Sequence, residues 1–275
     1  MTVGIEAFRY DGKRALVVGG ATGMGAATAQ IVGDLGAEVI VMDYADVSFP
    51  VAKAIKVDLR DQADVDAALE QVDGPVHALF SCAGVADGTE GIMKINFIAH
   101  RHIAERLVLG GKMPSGSAIA LISSVAGLGW ENNLETLRDF LETPDYESAA
   151  KWIDAHEGTD SYFFSKQSIN AYVGREAFPL LKQGIRINAI LPGPTDTPLA
   201  RANADTWLTF AADYREAAGA ETLLPEQMGN VLAFLCSDAA SGVNGVTLLV
   251  DSGHVSSAIT DSFPAPMVKM MMGIQ

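Results

Sequence analysis

The sequence predicts an α/β fold built on one doubly wound parallel sheet of about seven strands, with helices on both faces. Three observations point there. Short β-branched runs alternate with helix-length segments along the chain. Several runs, such as Ala-Leu-Val-Val and Val-Ile-Val-Met, are continuously apolar, as strands buried on both faces are. A glycine-rich turn follows the first run and opens the first helical segment.

The runs predict strands at 14–19, 38–42, 54–57, 76–81, 118–123, 185–191 and 246–250. Helical patterns occupy 24–35, 61–72, 90–109, 162–182 and 225–237. Two regions break the alternation. Residues 129–160 form a long, partly acidic stretch, and 195–222 follow a Pro-Gly-Pro turn without a strand. Both come after the carboxyl ends of strands, where such sheets bind ligands. The tail, 263–275, carries four Met residues and no clear element, so it covers a pocket, covers a subunit seam, or frays.

The chain has 275 residues, 49% of them hydrophobic, which suits one large domain better than two small ones. Its 19 Lys and Arg against 34 Asp and Glu give a net charge of −15. Such a surface repels phosphate backbones and anionic membranes, which argues against a nucleic acid or a membrane as partner. No apolar run reaches the roughly 18 residues a bilayer span needs. Charges interrupt the opening residues and no apolar core follows, so no signal peptide is expected. Cys82 and Cys236 lie in apolar surroundings and read as reduced, buried thiols of a cytoplasmic protein. No Cys/His cluster suggests a metal.

The turn Val17-Val18-Gly19-Gly20-Ala21-Thr22-Gly23-Met24-Gly25 suits a pyrophosphate. Glycines let backbone N–H groups approach the phosphates, and the helix N-terminus adds partial positive charge. Asp43 ends the second run, 20 residues beyond Gly23. A carboxylate there accepts from adenosine ribose hydroxyls and repels a 2′-phosphate, which favours NAD over NADP. Asp58, in Lys-Val-Asp-Leu, either bonds an adenine amino group or caps the helix that follows.

Tyr162 and Lys166 stand four residues apart on a predicted helix, so they share one face. A free phenol has a pKa of about 10. A neighbouring ammonium favours the phenolate, and the expectation is a lowered pKa and a usable acid or base. Ser124 closes the fifth apolar run.

In this order, these residues resemble the short-chain dehydrogenase/reductase family over nearly the whole chain. Asn96, in Lys-Ile-Asn-Phe, matches the family's active-site Asn, and Ser124, in Ile-Ser-Ser-Val, its catalytic Ser. Ser81-Cys82-Ala83-Gly84 stands where the family usually has Asn-Asn-Ala-Gly, so the amides that tie strands together are lost. Pro192-Gly193-Pro194-Thr195-Asp196-Thr197 matches the turn that contacts the nicotinamide, and Val250-Asp251-Ser252-Gly253 the last strand. The resemblance implies a single Rossmann-type domain over 1–275 that works by hydride transfer. It assigns catalysis to Asn96, Ser124, Tyr162 and Lys166. It assigns the dinucleotide to Gly19, Thr22, Gly23, Met24, Gly25, Asp43, Asp58, Leu59, Cys82, Ala83, Gly84, Tyr162, Lys166, Pro192, Gly193, Thr195 and Thr197. Asn96 would act through its backbone carbonyl, holding a water that links Lys166 to solvent.

The 38 residues from Ser124 to Tyr162 exceed the interval in most members. A long insert at 129–160 resembles that of the bacterial 3α-hydroxysteroid dehydrogenase/carbonyl reductase group. Its Leu128, Trp130, Leu134, Leu137, Phe140 and Trp152 would line an apolar pocket, or build the insert's own small core or a subunit contact. A lid at 195–222 offers Leu199, Trp207, Leu208 and Phe210. The expected activity is NAD-dependent oxidation and reduction of a secondary alcohol/ketone pair of steroid, terpene or aryl size. The alternatives are a 3-oxoacyl-thioester reductase, which fits poorly because its carrier is itself acidic, and a non-catalytic dinucleotide sensor. The resemblance also implies a homodimer or homotetramer, for which Ala171, Val173, Ala177 and Leu180 would suit a partner helix.

Overall fold

A computed structural model describes residues 4–274; residues 1–3 and 275, the ends of the opening segment and of the tail, lie outside the described residues. Seven strands form a parallel sheet in the order β3-β2-β1-β4-β5-β6-β7. They are β1 (Arg14–Val18), β2 (Glu38–Asp43), β3 (Lys53–Lys56), β4 (Ala78–Ser81), β5 (Ala118–Ile122), β6 (Arg186–Pro192) and β7 (Thr247–Val250). Each predicted strand is present, with ends shifted by one or two residues. The apolar runs are continuous because both faces are covered. Along β1, Leu16 and Val18 enter one core cluster while Ala15 and Val17 enter the other, as the two-residue strand period requires.

The helices supply both covers. On one face α1 (Gly23–Asp34) packs on α10 (Pro225–Cys236), with Ala29, Val32, Met228 and Leu232 against the sheet. The other face carries α2 (Gln62–Glu70), α3 (Ala99–Leu109) and α6 (Tyr162–Leu181). The sheet order reverses between β1 and β4, which opens a crevice at the carboxyl ends of these strands. The remaining helices are α4 (Leu134–Leu141) and α5 (Tyr146–Ala155) before α6, α7 (Pro198–Ala202), α8 (Ala204–Trp207) and α9 (Ala212–Ala218) after β6, and α11 (His254–Ile259) and α12 (Pro266–Met272) after β7. Among the described residues no helix is long and apolar enough to cross a membrane.

Three sequence expectations need correction. The segment predicted as one helix over 90–109 contains a π-helical turn, Lys94–Ile98, with Asn96 at its centre. Such turns recur at functional sites because they break the regular ladder. Second, the apolar residues of 129–160 do not line the main pocket. They pack inward into the main core: Leu137 and Phe140 are fully buried, and the Phe140 ring makes tilted contacts with Phe97, Trp152 and Phe164. Tyr146 donates from its hydroxyl to the Leu59 carbonyl at 2.7 Å, and Arg101 donates to Thr143 Oγ1 at 3.0 Å. Third, Ala171, Val173 and Leu180 are buried in the chain's own core, so no partner helix can use them.

Because Phe140 stands in the main core, Phe140→Ala is expected to cost about 3–5 kcal/mol in chemical denaturation. A loss under about 1 kcal/mol would show that this segment does not belong to the core.

Candidate active site

Helix α6 carries Tyr162 and Lys166 and is stitched to the end of β5. Ser123 Oγ donates to the Lys166 carbonyl at 3.0 Å, Lys166 Nζ donates to the Ile122 carbonyl at 3.0 Å, and Asn170 Nδ2 donates to the Gly127 carbonyl at 2.9 Å. Gly127 is required by close approach: a Cβ there would lie 2.7 Å from Asn170 Nδ2 and 2.9 Å from the Lys166 carbonyl oxygen. The helix start is fixed twice. Ser161 caps it by accepting from Phe164 N, and Asp87 Oδ1 accepts from Tyr162 N at 2.7 Å.

This stitching brings the predicted chemical residues together. Ser124 follows β5, its Oγ accepts from Ala126 N at 3.1 Å, and it lines the same cavity as Tyr162. Lys166 Nζ lies 5.3 Å from the Tyr162 ring centre. Asn96 is fully buried behind them; a Cβ on Gly84 would sit 3.7 Å from both Asn96 Oδ1 and Lys166 Nζ. The Asn96 side chain holds Val85, accepting from its N–H at 2.8 Å and donating to its carbonyl at 3.0 Å.

Electrostatics differ from the sequence expectation. Burial pushes the Tyr162 phenol up to about 12; the Ser124 hydroxyl acts downward and the Asp87 charge upward. Burial also pulls the Lys166 ammonium down to about 8. The cation 5.3 Å from the ring therefore does not give a net lowering, because desolvation penalises both charged forms. Cys236 is likewise pushed up to about 12, and Cys82 is raised too; both are free thiols.

These groups open on a cavity of about 330 Å³. Of the predicted residues, Met24, Cys82, Gly84, Ser124, Tyr162, Lys166, Pro192, Gly193, Thr195 and Thr197 line it; Asn96, Ala83, Asp58 and Leu59 do not. The rest of the lining is largely apolar. Leu199, Trp207 and Phe210 come from 195–222, and Trp207 meets Tyr162 in a tilted contact with ring centres 4.9 Å apart; Leu208 is not in the lining. Met267 and Met271 of α12 complete that lining, held by the buried Val268 and by Asn132 Nδ2 donating to the Met272 carbonyl at 3.1 Å. The tail therefore covers the pocket. Met content was its single sequence signal. Asp87 had none, since its place at the cavity follows from a turn whose path the sequence does not show.

A second strip runs along the ends of β1 and β2. The first turn of α1 carries no acidic side chain, and its cap Thr22 makes no side-chain bond to it among the described residues. That leaves a positive helix end open to an anion. Gly19, at φ +79°, touches the next segment so closely that a Cβ would lie 2.3 Å from Ala83 N. Asp43 Oδ2 accepts from Ala21 N and Oδ1 from Ala45 N, both at 2.8 Å, which holds the carboxylate beside the glycine turn. The Asp58 carboxylate is paired with Arg60 at 2.6 Å, and its alternative role passes to Asp61, which caps α2. An unopposed helix start and a close-packed glycine turn fit a dinucleotide pyrophosphate.

Comparison with known proteins agrees with this geometry. Residues 13–134 match the short chain dehydrogenase profile, and 147–255 match the profile described as Enoyl-(Acyl carrier protein) reductase. A cis-4-hydroxycyclohexanecarboxylate dehydrogenase of Sinomonas cyclohexanicum is 30% identical over 88% of this chain and 96% of its own. A 3-alpha-hydroxysteroid dehydrogenase/carbonyl reductase of Comamonas testosteroni is 28% identical over 86% and 95%. A Burkholderia cenocepacia short chain dehydrogenase, solved in complex with NADP, superposes with a TM-score of 0.65 at 23% identity, over 88% of this chain and 98% of that one. The chain belongs to the short-chain dehydrogenase/reductase family, whose members are oxidoreductases that bind a nicotinamide dinucleotide.

The Asp87–Tyr162 bond predicts a stability difference between two variants. Asp87→Ala removes the acceptor and should cost about 1 kcal/mol, whereas Asp87→Asn keeps an oxygen and should cost little. Equal losses in thermal or urea unfolding would contradict the anchoring role.

Proposed function

We propose that this chain is an NAD-dependent oxidoreductase acting on a secondary alcohol/ketone pair, with an apolar ring-bearing substrate of steroid, terpene or aryl type. One observation carries the reading: Ser124, Tyr162 and Lys166 line one cavity together with the apolar Leu199, Trp207, Phe210, Met267 and Met271. A few convergent polar groups beside an apolar surface suit a ketone oxygen on an apolar body. Two relatives support the class, since their names describe hydroxyls on a cyclohexane and on a steroid.

The nicotinamide, when bound, gives or takes the hydride. The side chains do the rest. Ser124 donates a hydrogen bond to the substrate oxygen, and Tyr162 exchanges the proton with that oxygen. Lys166, anchored on the Ile122 carbonyl, keeps its charge within reach of the phenol and of the nicotinamide ribose. Asn96 secures the turn at Val85, and its backbone carbonyl would hold the water behind Lys166. The lid at 195–222 and α12 exclude solvent. The glycine turn and α1 hold the pyrophosphate.

NAD preference rests on Asp43, whose carboxylate would repel a 2′-phosphate. The cations that follow it are engaged, Lys56 with Asp46 at 2.6 Å and Arg60 with Asp58. Asp43→Ser should therefore narrow the preference for NADH over NADPH by at least about tenfold in binding. A variant with an unchanged ratio would contradict the assignment.

We further propose a homo-oligomer, since Phe178 and Leu181 of α6 remain exposed and apolar. A cytoplasmic place accords with the two free thiols.

The central test is NAD reduction followed across steroid, terpene and aryl secondary alcohols. Turnover with at least one class is expected, abolished in Tyr162→Phe while NADH binding persists. Tyr162→Phe turning over like the parent chain would overturn the catalytic reading and favour a sensor. The pH dependence is signed. A phenol held neutral up to about pH 12 is a ready donor at neutral pH and a scarce acceptor. Oxidation should thus rise with pH between about 7 and 9 while reduction does not, and an oxidation rate that falls over that range would contradict it.

A further inference from the structure

We propose that His100 is a positioning residue for the dinucleotide, fixing through the Ala83 carbonyl the turn that stands between the glycine loop and Lys166. The proposal rests on the functional reading above only in that the cleft binds a nicotinamide dinucleotide.

The turn 83–85 is held tightly although the side chain of Ser81 does not help to hold it. Ser81 Oγ is buried and has no hydrogen-bond partner among the described residues, and Cys82 contributes a thiol where an amide would reach across. One side of the turn is fixed by contact. Cys82 N donates to the Val18 carbonyl at 2.8 Å, and Ala83 packs on Gly19 with no room for a Cβ between them. The other side is fixed by two side chains one helical turn apart, on one face. Asn96 holds both backbone groups of Val85. His100 Nε2 lies 3.0 Å from the Ala83 carbonyl oxygen. A carbonyl only accepts, so Nε2 carries the hydrogen.

The state of the ring follows. His100 is 1% exposed, and burial pulls its pKa down to about 4, so it is neutral in the working range. A neutral ring with its hydrogen on Nε2 leaves Nδ1 a bare acceptor, and Nδ1 has no partner among the described residues. An apolar side chain would fill this core position without stranding an acceptor. The bond to Ala83 is the gain that imidazole offers there. Gly84, the next residue, lines the cavity close to Lys166 Nζ, so a shift of this turn moves the wall where the cofactor lies.

The experiment compares His100→Gln, whose amide nitrogen keeps a donor at similar reach, with His100→Leu, which has none. NADH and NADPH dissociation constants are read from tryptophan fluorescence, beside melting temperatures and the full kinetics. In His100→Leu the dissociation constant and KM for dinucleotide should rise about tenfold, with kcat and substrate KM within about twofold. His100→Gln should stay within about threefold of the parent, with an unchanged pH profile. If His100→Leu does not accumulate folded, His100→Asn, too short to reach Ala83, carries the same expectation. Unchanged dinucleotide binding in the donor-less variants overturns the proposal. So does a His100→Gln as weak as His100→Leu, or a pH profile altered in His100→Gln, which would mark a proton-transfer role instead. A parent chain that bound neither dinucleotide would overturn the functional reading as well.

Discussion

The seam between α6 and the end of β5 is the constraint on which the rest depends. Three hydrogen bonds cross it, from Ser123, Lys166 and Asn170, and Gly127 lets the two backbones meet. Two of them involve residue 166 itself, once through its carbonyl and once through its ammonium. The seam sets the height of α6 against the sheet, and with it the position of Tyr162 opposite Ser124. An error of one residue in this register would turn the phenol away from the serine by roughly a quarter turn of helix.

The seam also buries what it positions. Lys166 is 3% exposed, and its Nζ has the Ile122 carbonyl as its partner. Both titrating groups therefore hold their neutral forms over a wider range than they would in water. Sequence spacing pairs the ammonium with the phenol but carries no sign of the cost of drying them. In the folded chain that cost is the larger effect for both.

Much of the fold was legible because its signals are local. The apolar runs gave all seven strands, and the period of 3.6 gave α1, α2, α6 and α10 within two residues. Ser124, Tyr162 and Lys166 were legible from spacing and order, and they converge. What failed was tertiary. Phe140 and Leu137 look like pocket or interface residues until α4 is seen to fold back on the core. The π-helical turn at Asn96 depends on packing, not on propensity. Asp58 and Asp61 are interchangeable as caps in the sequence, and only backbone geometry selects Asp61. The partners of Ala83 and Tyr162, namely His100 and Asp87, lie 17 and 75 residues away, beyond any local pattern.

The account stands on a lysine dried by its helix seam and bonded to a strand carbonyl. An NMR titration of the Nζ signals in 15N-lysine-labelled protein, with Lys166 assigned by Lys166→Arg, tests it most directly. The account predicts that the Lys166 ammonium loses its proton near pH 8. A Lys166 signal that stays protonated to about pH 10, as an unperturbed lysine does, would contradict it.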